Sequence, residues 1–220
     1  MSAFPGSPKV LKGGIVLLDP DTFNVLPNGI IVLQYNPDTL TRTLRIKGAE
    51  EGGDRSEALR LTGPPVETFK LDAEIDATDQ LEFPDQYRDT VQYGIFPQLA
   101  ALETVVYPTT TQLQSNFKLS QQGTLEIMPM QAPYTIFVWS ASRVVPVRIT
   151  DLSITEEAFD PTLNPIRAKV SLGMRVLSID DLYFTDKGGS LYISYQQQKE
   201  TLAKLSQPSS FAALGIRGIP

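Results

Sequence analysis

Carboxylates are the side chains of this sequence best suited to chemistry, because its 220 residues include neither histidine nor cysteine. The missing histidine removes the usual general base, the commonest metal ligand and every Ser–His or Cys–His nucleophile pair. The missing cysteine removes disulfides and thiolate metal sites. Acidic pairs occur at Glu156–Glu157 and Asp180–Asp181, but adjacent residues on a strand point to opposite faces. Neither pair therefore needs to converge on one substrate.

Three further acids, Asp72, Glu74 and Asp76, alternate with apolar residues and could suggest a divalent-cation site. Residues two apart on a strand lie about 7 Å apart, whereas a cation-binding loop sets Asp and Asn in a tight turn with glycine. The sequence also lacks a G-x-S-x-G motif and a phosphate-binding loop. We therefore expect a protein that is not an enzyme and that needs no cofactor and no metal. A glycosidase built from two distant carboxylates stays open as an alternative.

The composition limits the partners as well. The formal net charge is -6 and the pI is about 4.8, so the chain lacks the basic surface that neutralises phosphates, and we expect no nucleic-acid partner. The longest apolar runs have the length of a strand, which predicts no membrane span. Residues 1–8 hold no apolar run behind a basic segment, which indicates no signal peptide. We expect assembly in the cytoplasm.

The pattern of apolar residues is typical of a mainly β (α+β) protein, with period-two alternation over the longest runs. It predicts strands at residues 9–18, 30–35, 41–46, 66–76, 125–128, 134–140, 144–150 and 166–176. It predicts a central helix at 97–107 and an amphipathic helix at 190–206, with polar loops at 48–63 and 109–123. These strands put acids on one long outer face and bases on another. The acids are Asp72, Glu74 and Asp76, and the bases are Arg167, Lys169 and Arg175.

A turn is predicted at residues 156–165, where Pro161 and Pro165 prevent a continuous strand ladder. Phe159 is too large to be left exposed without a role, so we expect its ring to be an anchor, either within the fold or at an interface. Asn164–Pro165 is expected to set the entry into the next strand.

The domain organisation follows from these elements. Residues 1–188 form one β domain, 189–206 a C-terminal helix and 207–220 an extended apolar tail. The tail is rich in Gly, Pro and Ser and cannot build a core alone. We expect it to dock on a partner subunit through four apolar side chains, Phe211, Leu214, Ile216 and Ile219.

Two stretches are more specific than composition. The first, at 32–42, runs from an apolar strand into Tyr35-Asn36-Pro37 and on to Leu40. The second, at 147–172, contains Glu156-Glu157, Phe159-Asp160-Pro161, Leu163-Asn164-Pro165 and the strand after them. Together they resemble the tube-protein domain family of contractile, phage-tail-like injection systems. The likeness covers about residues 10–176. Within that family, the sequence is similar to the baseplate proteins that initiate the inner tube.

The resemblance implies a tail-tube-like antiparallel β-sandwich or barrel with one internal helix. It also implies a baseplate subunit that forms rings with itself, commonly six-fold, and adapts the inner tube to a trimeric spike. Further partners would be the inner tube or a second initiator subunit, and baseplate or sheath subunits. The residues named in the two stretches would bind these partners, and the charged strand faces would line the lumen or an interface. Many such relatives carry a LysM module, for which this C-terminus is too short.

Two other functions stay open. One is the bulk inner tube protein, although the long loop at 48–63 and the C-terminal helix and tail favour the adaptor. The other belongs to a different class, a soluble β-barrel that binds a small ligand or a glycan. The charged strand faces are equally consistent with simple solvation.

Overall fold

The computed structural model describes residues 11–48, 60–121, 132–206 and 211–219. Its strands are β1 (Gly14–Leu18), β2 (Val25–Val32), β3 (Leu40–Arg45), β4 (Val66–Asp76), β5 (Tyr134–Ser140), β6 (Arg143–Phe159) and β7 (Pro165–Val176). Its α-helices are α1 (Thr78–Leu81), α2 (Arg88–Tyr93), α3 (Phe96–Glu103), α4 (Thr110–Gln121) and α5 (Lys187–Lys204), and Phe211–Leu214 form a short 3-10 helix.

The strands build one open antiparallel sheet in the order β2-β1-β5-β6-β7-β4-β3. The mainly β class predicted from the sequence is thus confirmed. β5 is an interior strand, as its apolar residues on both faces indicate. β2 and β3 are the two edges, and they come from neighbouring parts of the chain. The centre of the sheet is the long pairing of β6 with β7, which extends from Val147↔Val176 to Phe159↔Pro165.

The period-two pattern of the two long strands is confirmed by burial. β4 and β7 pair along nine positions, including Leu71↔Leu172 and Ala73↔Val170. Those four side chains are all buried, while the residues between them face outward. Since a strand places alternate side chains on opposite faces, this register puts one apolar face on the core and one polar face outside.

Two clusters of buried side chains form the core. The larger one lies under the middle of the sheet and includes Phe69 and Phe137, whose ring centroids are 5.5 Å apart. The smaller one lies under α3, where Leu99 and Leu102 pack with Ala168 of β7. Leu99 and Leu102 are three residues apart and so share one face of the helix. α3 therefore covers the part of the sheet from which the end of the β6–β7 hairpin projects.

Several element predictions are corrected. The loop expected at 109–123 is the helix α4, whose Thr109 and Gln112 form a capping box: Gln112 N–H donates to Thr109 Oγ1 at 3.2 Å and Thr109 N–H to Gln112 Oε1 at 3.0 Å. The helix expected at 97–107 ends at Glu103. β6 runs past 150 as far as Phe159, because β7 offers it a paired edge along that length. The short helices α1 and α2 were not predicted. The strand expected at 125–128 and residues 49–59 of the loop lie outside the described residues.

The side chain of Gln34, just after β2, forms the hydrogen bonds to the end of β4 that a neighbouring strand would otherwise form. Its Nε2 donates to the Asp76 carbonyl at 2.6 Å, and the Asp76 N–H donates to its Oε1 at 2.9 Å. β3 pairs only with Val66–Leu71, so these positions of β4 lie beyond its reach. The sheet therefore curls until the end of β2 meets β4.

α5 is tied to the sheet through a buried carboxylate. Glu67 of β4 is 3% exposed and accepts hydrogen bonds from the Tyr195 hydroxyl at 2.7 Å and from Lys199 Nζ at 2.8 Å. Tyr192 and Tyr195 belong to the larger core cluster. Burial, followed by the bond to Glu67, raises the pKa of Tyr195, which keeps its hydroxyl a donor. No helix in the described ranges has the length and apolar character to cross a bilayer.

Candidate functional site

The strongest candidate site is the turn that ends the β6–β7 hairpin, which we call the hairpin tip (Phe159–Pro165). Asp160 organises it. Asp160 Oδ1 accepts from the Thr162 N–H at 2.7 Å, from the Thr162 hydroxyl at 2.7 Å and from the Asn164 N–H at 2.9 Å. Its Oδ2 accepts from Asn164 Nδ2 at 2.9 Å. The turn is thus held by its own side chains and is preorganised before any partner arrives.

The same bonds set the ionisation of Asp160. Hydrogen bonds from the side chains of Asn164 and then Thr162 lower its pKa from 3.8 to about 2, because they favour the charged carboxylate. The carboxylate is therefore ionised throughout the neutral range. Its two oxygens accept four hydrogen bonds from within the tip. Asp-Pro-Thr-Leu-Asn is a side-chain-closed turn, and Asp and Asn are the residues that close such turns.

The end of α2 and the residues between α2 and α3 hold the tip in place through hydrogen bonds. Asn164 Nδ2 donates to the Gln92 carbonyl at 3.1 Å, and the Ile95 N–H donates to the Pro165 carbonyl at 2.9 Å. Gly94 lies between them with φ +59°, and a Cβ there would collide with the Pro165 carbonyl oxygen. Only glycine allows both the positive φ and this close approach. The sequence analysis missed this support, although Gly94 directly before an apolar helical run was a visible signal.

Two large apolar side chains of the tip face solvent. Phe159 is 50% exposed and Leu163 is 76% exposed. The Phe159 ring was expected to be an anchor either within the fold or at an interface. The first alternative, burial within this fold, is therefore wrong. Ala158 and Leu163 both have positive φ, a conformation that costs backbone strain in residues other than glycine. A rigid turn with exposed apolar anchors has the chemistry of a docking site.

The charged residues predicted on β4 and β7 lie on neighbouring strands, where they pair within the chain. Arg167 binds Asp76 at 2.7 Å and approaches Glu74 at 3.7 Å, while Lys169 binds Glu157 of β6 at 3.0 Å. Partial burial would raise the pKa of Asp76, but hydrogen bonds from Thr78 and the contact with Arg167 outweigh it and hold that pKa below its usual value. The hydrogen bond that Arg167 donates to Asp76 raises the pKa of Arg167. These residues form a mixed-charge ladder across three strands.

The remaining charged candidates have separate surroundings. Arg175 binds Asp181 with Nη2 at 2.7 and 2.9 Å from its two oxygens, near the start of the loop that leads to α5. Asp72 is exposed and lies opposite Ser171 of β7. Glu156 is exposed next to the hairpin tip. Among the described residues, no three carboxylates are grouped so that they could hold a metal ion.

The motif after β2 is used within the chain. Asn36 Nδ2 donates to the Leu11 carbonyl at 2.7 Å, and its Oδ1 accepts from the Gly13 N–H at 3.0 Å. Tyr35 is exposed and Pro37 is half-buried. Asn36 therefore fixes the entry into β1, and Tyr35 is the member of this motif that is open to a partner. No contact among the described residues joins this motif to the hairpin tip.

The tail residues are the last of the predicted site. Phe211 and Leu214 bound the short 3-10 helix, where extended chain was expected, and the Ile216 N–H donates to the Phe211 carbonyl at 3.1 Å. Phe211, Ile216 and Ile219 all have exposed side chains. The sequence matches no known protein-family model and no curated protein.

Proposed function

We propose that this protein is a structural baseplate subunit of a contractile injection system, which initiates the inner tube and adapts it to the central spike. The two sequence stretches that resemble the tube-protein family support this proposal, and each contains a side chain or turn that is exposed for contact. One leads to the exposed Tyr35, and the other forms the hairpin tip. In such a particle the curled sheet would be one segment of a tube-like wall.

The observation that carries the proposal is the pair of sheet edges, β2 and β3, which have no further strand beside them among the described residues. β2 exposes Ile30 (63%) and Val32 (55%), and the β3 edge exposes Leu44 (45%) and, just beyond it, Ile46 (77%). Unpaired edges with apolar side chains invite pairing with another chain. β2 and β3 are different surfaces, so a contact between them is head-to-tail, and head-to-tail contacts close into rings when the rotation allows.

The hairpin tip would then contact a second kind of subunit. Exposed anchors on a preorganised turn lose little conformational entropy on docking, so Phe159 and Leu163 are suited to be the energetic centre of an interface. The partner at this end would be the spike or the adjacent tube ring. The mixed-charge ladder leaves a polar face on the same strands, which would suit a lumen wall.

Electron microscopy of the purified chain tests self-assembly, with Val32→Lys as the edge variant. A lysine on an edge strand blocks further pairing, so rings are expected for the unmodified chain and lost in Val32→Lys. Val106→Lys changes a valine outside the sheet that is 46% exposed, close to the 55% of Val32; it is the matched control and should still form rings. A chain that stays monomeric at every concentration and is absent from particles contradicts the proposal.

Phe159→Ala tests the hairpin tip in particles. Its ring is half-exposed, so the free energy of unfolding should change by less than about 1 kcal/mol, while incorporation into particles and pull-down of the spike should fall. Phe184→Ala removes an exposed ring away from the hairpin and should leave both unchanged. Normal incorporation of Phe159→Ala would remove the tip from the interface. Copy number in the particle separates an adaptor ring from the bulk tube protein.

A further inference from the structure

A groove opens where the curled sheet fails to close. Its walls are the edge of β2 and Gln34 on one side and β4 with α3 on the other, and Val170 and Leu172 of β7 lie at its base. Its volume is about 440 Å³, within the range of ligand-binding pockets in proteins. The side chains along it are mostly aliphatic, so an occupant gains chiefly by burying apolar surface.

One residue that lines the groove carries a buried hydrogen-bond acceptor that has no donor among the described residues. It is Gln98 of α3, and the acceptor is its Oε1 atom. A buried acceptor without a donor is costly, and an occupant that brings an N–H removes that cost. Gln34 closes the groove at the end of β4 by pairing with the backbone of Asp76. The site therefore favours a peptide, which supplies both apolar side chains and backbone N–H groups.

The chain itself carries a segment with this chemistry, the C-terminal tail. Its described part, 211–219, exposes Phe211, Ile216 and Ile219, and Arg217 is its one charged residue. Glu74 lies on the rim of the groove and offers a partner of opposite charge. A charge pair between Arg217 and Glu74 would thus fix the orientation of the tail in an otherwise apolar contact.

We propose that the groove between β2 and α3 receives the C-terminal tail of a second copy of this chain. The occupied groove would link adjacent subunits, so the inference rests on the proposed self-assembly for its biological role, though not for its test. The tail of the same chain does not fill the groove, because Phe211, Ile216 and Ile219 are exposed and none of them lines it. The described residues that line the groove all belong to β2, β4, β7, α3 and the turns beside them.

Peptide binding to the full-length chain tests the site directly. The receptor carries Phe211→Ser, Ile216→Ser and Ile219→Ser, which disable its own tail, and the probe is a fluorescent peptide of residues 207–220. We expect saturable binding in fluorescence polarisation. Ala101→Phe, which fills the groove from α3, should raise the Kd by about tenfold or more. Ala100→Phe, one position round the same helix on its exposed side, is the matched control and should leave the Kd unchanged.

Equal binding to both α3 variants, or no binding to the receptor, overturns the site. Thermal unfolding of each variant shows that the fold is intact. Since the receptor need not form rings, absence of rings with intact peptide binding would overturn the proposed function alone. Rings without peptide binding would overturn this inference alone.

Photo-crosslinking decides which chain supplies the tail. Phe211 of the full-length chain is replaced by benzoylphenylalanine, and the irradiated protein is separated by denaturing electrophoresis and mapped by mass spectrometry. A product of twice the chain mass, crosslinked to β2 or α3, is the expected result. A groove crosslink confined to products of single-chain mass would mean that the tail folds back on its own domain, and a crosslink elsewhere would place it on another surface. Either outcome overturns the proposal.

Discussion

Replacing Tyr195 with phenylalanine should loosen α5 from the sheet. The substitution removes one hydroxyl and leaves the ring, so its effect isolates the 2.7 Å hydrogen bond to Glu67. Both partners are buried, and Glu67 keeps Lys199 at 2.8 Å and Arg42 at 3.8 Å. A hydrogen bond to a charged group contributes about 1.5–3 kcal/mol, and the two remaining cations hold the loss near the lower end, about 1.5–2 kcal/mol.

Thermal and urea unfolding measure this loss. For a chain of this size 1 kcal/mol corresponds to about 2–4 °C, so Tm should fall by about 3–8 °C. Tyr183→Phe is the matched control, because the Tyr183 side chain is 81% exposed, and it should leave Tm unchanged. A double-mutant cycle with Glu67→Gln then gives the coupling between the two residues. A coupling near zero, or equal stability losses for Tyr195→Phe and Tyr183→Phe, would refute the idea that this bond anchors α5.

Two further predictions concern the hairpin tip. Gly94→Ala places a methyl group against the Pro165 carbonyl at a positive φ and should cost about 1–3 kcal/mol in urea unfolding, whereas Gly48→Ala, which meets nothing within 4 Å, should be neutral or slightly stabilising; equal effects would contradict the support assigned to Gly94. Asp160→Asn sets an amide against Asn164 and should destabilise the chain at neutral pH. Because the pKa of Asp160 is lowered from 3.8 to about 2 in the fold, its stabilisation is complete above about pH 4 and is lost as pH falls toward 2. The difference between Asp160→Asn and the unmodified chain should shrink over that window, and a difference that does not change with pH would contradict this assignment.

The parts of the fold that follow from sequence are those with a clear period. β4 and β7 alternate so regularly that the sequence alone separates an apolar face from a charged face on each strand. The same parity also places Glu67 on the buried face with Phe69. That was the available signal for its anchoring role. A lone acid at the start of a strand is ordinarily assigned to solvent, so pairing with α5 could not be inferred without knowing where that helix packs.

The helices of the middle of the chain were harder to predict, for two different reasons. α4 has no buried residue, so it shows little amphipathic pattern, and only its Thr109–Gln112 capping box marks where it begins. α1 and α2 are too short for a helical period to emerge from sequence. A turn was expected at 156–165, but β6 stays paired with β7 as far as Phe159↔Pro165, so the turn is confined to the residues between them. Proline cannot donate to a strand ladder, but it can still lie opposite a partner at the first residue of a strand, as Pro165 does.

The strand order has a consequence for how the chain is made. β1 can complete its pairing only with β5, where Gly14 meets Val138, and β4 pairs with β7, where Thr68 meets Arg175. At about 5–20 residues per second, a ribosome takes roughly 6–25 s to make the stretch between Gly14 and Val138. The β1–β2 hairpin therefore emerges long before its neighbour, with the apolar edge of β1 open to other nascent chains. Folding of the nascent chain should depend on shielding of that hairpin during synthesis, and it is completed only when the second half of the polypeptide has been released.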